Sequence, residues 1–154
     1  VCVRLGAFRA SRRDEDGARR EFQKALRLAP DDPHVHLAVG LWHYSRKRFY
    51  RAVEHLGRAA RLDPQSPTAH LALGKALEGL GRWEAAIAQF RSAAKLDPRD
   101  PEPWFGVVRC ELALGHPEAA REALDRARPL GWQTHLETIR ALQGRIEATK
   151  PSGR

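Results

Sequence analysis

The side chains that could do chemistry in this chain are seven histidines, two cysteines, five serines and a set of lysines and arginines that outnumbers the acids by eight. A metal centre would need three or four of the histidines, cysteines or carboxylates at ligand spacing. His34 and His36 lie two apart, so on a helix they point in different directions, and no cysteine or second histidine stands at a metal-ligand interval from them. Structural histidines are expected, with no metal and no cofactor. Serines at 11, 45, 66, 92 and 152 sit in no nucleophile elbow, and the chain has no glycine-rich phosphate loop. The residue pattern therefore points away from an enzyme. Cys2 and Cys110 are too few for a disulfide framework and fall three repeats apart, so two unbridged thiols are expected.

What remains is recognition. The net charge is +8 with a sequence pI near 10.3, which admits acidic proteins, nucleic acid or anionic membranes as partners. The excess is concentrated. Residues 33–66 carry a net +4, chiefly in Ser45-Arg-Lys-Arg-Phe-Tyr-Arg51, whereas residues 101–134 carry −1. Arg46, Lys47, Arg48 and Arg51 form a candidate acidic-partner or phosphate contact, with Phe49 or Tyr50 beside the cations. Elsewhere basic and acidic residues interleave, and Glu84, Glu118, Glu122 and Asp125 would repel phosphate. A continuous basic face with exposed aromatics, the footprint of nucleic-acid binding, is missing, so nucleic acid is not the expected partner.

The elements that position these groups follow from an internal repeat with a period of about 34 residues. Leu28-Ala-Pro30, Leu62-Asp-Pro64 and Leu96-Asp-Pro98 recur at that interval, as do Leu5, Val39, Leu73 and Val107. Gly6, Gly40 and Gly74 form another column, broken by Val108. Ala18, Ala52, Ala86 and Ala120, then Phe22, Leu56, Phe90 and Leu124, then Ala25, Ala59, Ala93 and Ala127 complete the pattern. Small residues recur where two helices must cross closely. Large apolar residues recur where a helix fills the space between neighbours. Within the unit the apolar spacing is helical, as in Ala86, Ile87, Phe90, Ala93 and Ala94. Asp32-Pro33, Ser66-Pro67 and Asp100-Pro101 each set a capping side chain before a proline at the first helical position. His116-Pro117 does so with a weaker cap. Hairpins are expected at roughly 1–28, 33–62, 67–96 and 101–128, and no segment alternates as a strand would.

The last stretch departs from the repeat. Pro129 is expected to stop the fourth hairpin early, and Trp132 stands where proline stood before. Thr134-His-Leu-Glu137 reads as a capping box. It opens a helix over 135–148 whose only apolar stripe is Leu136, Ile139, Leu142 and Ile146, as a terminal capping helix requires. Residues 149–154 read as a flexible tail. At the other end the first repeat is N-terminally truncated, in phase with the others but short of its expected start, and no polar helix precedes it. Upstream repeats are the expectation, and an uncapped first hairpin could also self-associate. A targeting segment could likewise precede Val1. There is no apolar run near the roughly 18 residues needed to span a bilayer, so a soluble chain is expected, with the cytoplasm the favoured compartment.

These columns resemble the tetratricopeptide repeat family, whose pattern is aromatic-x2-Leu-Gly-x2-Tyr, then Ala-x3-Phe, then Pro. The third repeat matches best, with His70, Leu73, Gly74, Leu77, Ala86, Phe90 and Pro98 at the marked positions. The resemblance covers about residues 1–132. It implies an all-α, right-handed α-solenoid of about four helix-turn-helix repeats plus a C-terminal capping helix. The units would be 1–32, 33–66, 67–100 and 101–134, then the helix over 135–148 and the tail over 149–154. The family's aromatic site holds Cys2, His36, His70 and Trp104, and its tyrosine site holds Arg9, His43, Leu77 and Glu111. With Val108 and Glu111 both out of pattern, the fourth pair of helices is expected to pack apart or lean.

The resemblance further implies that the first helix of each hairpin lines a concave wall. Its inward positions would be Val3, Ala7 and Ala10; Leu37, Leu41 and Tyr44; Leu71, Lys75 and Glu78; Phe105, Arg109 and Leu112. Leu37, Leu41, Tyr44, Leu71 and Phe105 then form an apolar groove fit for a peptide or helix, and Lys75 and Arg109 could hold an acidic side chain or a terminal carboxylate. One subtype of the family grips a C-terminal carboxylate with lysine and asparagine. This chain contains no asparagine, which argues against that clamp. The reading is a non-catalytic scaffold for protein–protein interaction. The alternatives are the non-catalytic arm of a larger enzyme, such as a glycosyltransferase or methyltransferase, and a self-associating module.

Overall fold

A computed structural model describes residues 2–11, 14–131 and 136–148. Val1, Trp132, Thr134 and the tail 149–154 lie outside the described residues, so the expected capping box and tail are not among them. The described residues form nine α-helices and no strand: α1 (Cys2–Ser11), α2 (Glu15–Leu28), α3 (Pro33–Ser45), α4 (Phe49–Leu62), α5 (Pro67–Gly79), α6 (Trp83–Leu96), α7 (Glu102–Ala113), α8 (Pro117–Gly131) and α9 (Leu136–Ala148). Each helix packs on its successor, and α3, α5 and α7 also touch one another in order. The arrangement is a row of hairpins in which the first helices share one side.

The helix starts are chemical. Asp32 accepts from the His34 amide at 2.8 Å, and Ser66 accepts from the Ala69 amide at 3.2 Å. Asp100 accepts from the Glu102 amide at 2.9 Å. Asp14 caps α2 in the same way, through the Gly17 amide. Each bond satisfies an amide that the first turn leaves without a carbonyl.

The turns inside hairpins two, three and four are closed by one repeated pair of bonds. The Arg48, Arg82 and His116 amides donate to the His43, Leu77 and Glu111 carbonyls, at 3.0, 3.0 and 2.8 Å. One residue earlier, Lys47, Gly81 and Gly115 donate to Tyr44, Glu78 and Leu112. This double closure requires a left-handed residue in the middle. Gly81 and Gly115 take it at φ 71° and 77°, and Lys47 takes it at 56°.

Small-against-large packing joins the helices. A Cβ on Gly74 would stand 2.7 Å from the Phe90 ring, and one on Gly106 would stand 2.6 Å from its other side. Phe90 is completely buried between them. Gly40 admits Leu56 in the same manner, and Gly6 admits Phe22. In the fourth hairpin Val108 replaces the glycine of that column and is itself fully buried.

α8 runs through Pro129 to Gly131 rather than ending before it. A proline this near a helix C-terminus removes only one amide from the ladder, and the remaining turn tolerates it. α9 then lies on α7 and α8 and buries Ile139, Leu142 and Ile146. No described helix is long and apolar enough to cross a membrane.

Candidate functional site

α3, α5 and α7 share one side of the row. Between them opens a cleft of about 560 Å³ bounded by Tyr44, Phe49, Lys75, Glu78, Gly79, Trp83, Glu102 and Arg109. Four of the residues expected to face a ligand meet here: Tyr44, Lys75, Glu78 and Arg109. Leu41, 41% exposed, lies on the same helix as Tyr44. Leu37, Leu71 and Leu112 are half-buried and pack against the core beneath. Val3 is half-buried against a different cluster, formed by Phe22, Val39 and Trp42. Ala7 is exposed, and the Ala10 side chain lies outside the described set.

Phe105 is a correction. The expectation sets it on the open wall, yet it is 1% exposed. It belongs to the same buried cluster as Leu73 and Leu77 of α5 and Ile139 and Leu142 of α9. A ring at this position reaches far enough to be enclosed by its neighbours, so it serves packing rather than contact with a ligand.

The two cations expected to receive an acidic ligand are already occupied. Arg109 donates from Nε and Nη2 to the two carboxylate oxygens of Glu78, at 2.6 and 2.9 Å. Lys75 Nζ stands 3.0 Å from Glu102. Both pairs join α5 to α7. The two-point contact is the strong form of a guanidinium–carboxylate pair. Hydrogen bonding to Glu78 raises the Arg109 guanidinium above its ordinary range. Helix periodicity could not foresee this, because each pair lies across a repeat boundary and its members are far apart in sequence.

Three rings frame the mouth of the cleft. Tyr44 and Phe49 stand 5.7 Å apart, tilted, and Trp83 opens the next second helix. A Cβ at Gly79 would fall 2.7 Å from the Phe49 ring, so glycine lets that ring lie against α5. Phe49 and Trp83 hold the same place in successive repeats. That equivalence is the signal by which the sequence could have placed both in the cleft.

The basic turn lies on the edge of the molecule. Arg48 donates to Glu15 at 2.6 Å and Arg46 reaches the same carboxylate at 3.5 Å, so these two tie the turn to α2. Lys47 and Arg51 are exposed, and Tyr50 is 74% exposed beside them.

His36, His55 and His70 are held by neighbours. His36 Nε2 faces the Pro30 carbonyl at 2.9 Å, and His70 Nε2 faces the Pro64 carbonyl at 3.2 Å. Since a carbonyl only accepts, both nitrogens donate. In the neutral ring His36 Nδ1 must then accept, and its partner is His55 Nδ1 at 3.1 Å. His70 Nδ1 faces Gln89 Oε1 at 2.8 Å, with Gln89 at the position equivalent to His55. His43 stacks on His55, their centroids 5.7 Å apart. Burial, then the neighbouring His55, Arg51 and Arg48, lower His43 to about 4 against the pull of Glu54. Burial, then His36 and Arg58, likewise lower His55 against the same Glu54. Cys2 and Cys110 are both free, and burial pushes the Cys110 thiol up to about 12, too high to form a reactive thiolate.

A row of helical hairpins closed by a terminal helix, with an open groove along the first helices, defines a repeat-protein solenoid. Two family models, each described as tetratricopeptide repeat, match residues 71–133 and 40–81 and together span more than half of the chain. The chain belongs to the tetratricopeptide repeat family. Among solved structures it is similar to the MamA protein, with a TM-score of 0.81 at 22% identity over 96% of this chain and 84% of that one. MamA AMB-1 aligns at 0.77 and 25% identity, over 88% and 74%. The TPR2B domain of yeast Sti1, solved as a complex with pHsp70, aligns at 0.74 and 18% identity, over 77% and 98%. No curated protein sequence matches the chain.

Proposed function

We propose that this chain is a protein-interaction scaffold whose concave cleft holds a peptide or helix of a partner protein. The observation that carries this reading is the aromatic frame of the cleft. Tyr44, Phe49 and Trp83 converge on an open space floored by two neutralised ion pairs. Such a surface favours an apolar or aromatic segment over an acidic one, because Lys75 and Arg109 are committed to Glu102 and Glu78. Rings on an open groove supply contact area with little side-chain entropy to lose. The Sti1 domain in complex with pHsp70 offers a precedent in a related fold.

The test is affinity capture with wild type and with Leu41→Asp plus Tyr44→Ala, both of which alter exposed or half-buried groups. The partners recovered by wild type should be lost from the double variant while its helical circular-dichroism signal is retained. Undiminished recovery of the same partners would remove the cleft from consideration. Phe105 is unsuited to such a test, since a charge placed there would unfold the chain.

A further inference from the structure

At the edge of the molecule the turn between α3 and α4 borders an open hollow of about 620 Å³. Its lining holds four cations, Arg19, Lys47, Arg48 and Arg51, and no acid. The four are not equally available. Arg19 is paired with Asp16, and Arg48 is paired with Glu15. Lys47 and Arg51 are exposed and make no ion pair among the described residues. Glu54, one helical turn beyond Arg51, lines the slot between α2, α3 and α4 and not this hollow. Tyr50, 74% exposed, stands between the two open cations in the chain and lines the hollow with them.

Lys47 is also the strained residue of the turn. Its φ of 56° is left-handed, at the place where repeats three and four have Gly81 and Gly115. A side chain in that conformation costs free energy that glycine avoids. No contact inside the chain offsets the cost, since the Lys47 side chain makes neither a hydrogen bond nor an ion pair among the described residues. The turn itself closes through backbone bonds that Gly81 and Gly115 make equally well. Strain held where the packing does not need it points to a use outside the fold.

We propose that this turn docks an acidic stretch of protein chain, with carboxylates on Lys47 and Arg51 and side-chain stems over the Tyr50 ring. Phe49 lines both this hollow and the cleft, so the turn is a second contact for the partner of the cleft. That assignment of the partner rests on the cleft reading, whereas the docking itself does not. The two surfaces divide the work: the cations of the cleft are neutralised by Glu78 and Glu102, and those of the turn are open. Nucleic acid fits less well. Two open cations make a short footprint, and the acids paired with Arg19 and Arg48 stand at its border, where a phosphate backbone would be repelled.

The probe is fluorescein-labelled hexaglutamate, titrated with the chain at low salt and followed by fluorescence anisotropy. Binding should saturate, and it should vanish by about 0.5 M NaCl as the exposed charges are screened. Lys47→Gly plus Arg51→Ala should weaken it about tenfold, the loss of two exposed ion pairs. Lys95→Ala plus Arg99→Ala removes the same charge from exposed positions elsewhere and should change the affinity by less than about twofold. Lys47→Gly alone should bind about threefold more weakly while its thermal midpoint rises by about 3 °C, a pairing that a purely structural lysine would not produce. Tyr44→Ala, which takes a ring from the cleft, should leave hexaglutamate binding unchanged, so a failed cleft and a failed turn are told apart. Equal losses in the two charge-removal variants would overturn the proposal, because they would mark attraction by net charge alone. So would a loss confined to Tyr44→Ala, or tighter binding of a single-stranded DNA of about twelve nucleotides that the turn variant abolishes.

Discussion

The second and third repeats share one backbone plan and differ in what they hang on it. Residue for residue, one period apart, repeat two has Trp42, His43, Lys47, His55 and Leu56 where repeat three has Ala76, Leu77, Gly81, Gln89 and Phe90. Both open on a capping side chain, and their turn closures and histidine-to-proline contacts coincide. At four of these positions repeat three has an alanine, a leucine, a turn glycine and a ring between two glycines, and at the fifth Gln89 faces His70. Repeat two replaces them with an indole, two stacked imidazoles and a lysine in a left-handed conformation. A fold this tolerant keeps its shape while one unit carries the unusual chemistry, because each repeat need only satisfy its neighbours.

If that comparison is right, the largest mechanical effect belongs to repeat three. Phe90→Ala should cost about 4 kcal/mol, since it empties a site enclosed by Gly74 and Gly106, and Leu56→Ala about 3 kcal/mol. Urea denaturation of both variants checks the order, and a reversed order would break the comparison.

The next effect is acid sensitivity, and it belongs to repeat two. His43 is held neutral in the fold at about 4 against 6.5 when unfolded. Between those values the unfolded chain binds the extra proton, so stability is complete above about pH 6.5 and declines as the pH falls toward 4. One such shift amounts to about 3 kcal/mol at most. The lowered His55 acts in the same direction. His43→Leu, which installs the residue of repeat three, should flatten the dependence of the urea midpoint on pH between about 4 and 7.

A smaller effect sits between repeats three and four. Glu78→Gln leaves the half-buried Arg109 with one weaker partner and should cost about 1.5 kcal/mol, with reduced sensitivity to salt as the second sign. The smallest effect is in the turn. Lys47→Gly should stabilise the chain by about 1 kcal/mol by relieving a left-handed non-glycine residue, and Gly81→Lys should cost about as much. Thermal unfolding of the two variants gives opposite shifts if the turns are equivalent.

Much of the architecture is legible in the sequence because it rests on local rules. The repeating columns, the Asp32, Ser66 and Asp100 caps and the apolar stripe of the last helix each depend on residue types whose effects act within a few positions. Pro129 defeats the reading because proline is a strong breaker inside a helix and a weak one in its final turn. The cleft is legible only in outline. Tyr44, Lys75, Glu78 and Arg109 do meet there, but the ion pairs that consume Lys75 and Arg109 span repeat boundaries, and Phe105 is withdrawn by packing that no single helix reveals.

By itself, then, the sequence determined the helices, their period and which face of each is apolar, since propensity, capping and periodicity act within a few residues. Only the tertiary structure decided which charges remain available and which rings stay open. It left Arg51 uncommitted, joined Arg109 to Glu78, buried Phe105 and brought Phe49 against Gly79. These outcomes depend on distances between helices that belong to successive repeats, and such distances are set by the fit of side chains across the hairpin boundaries.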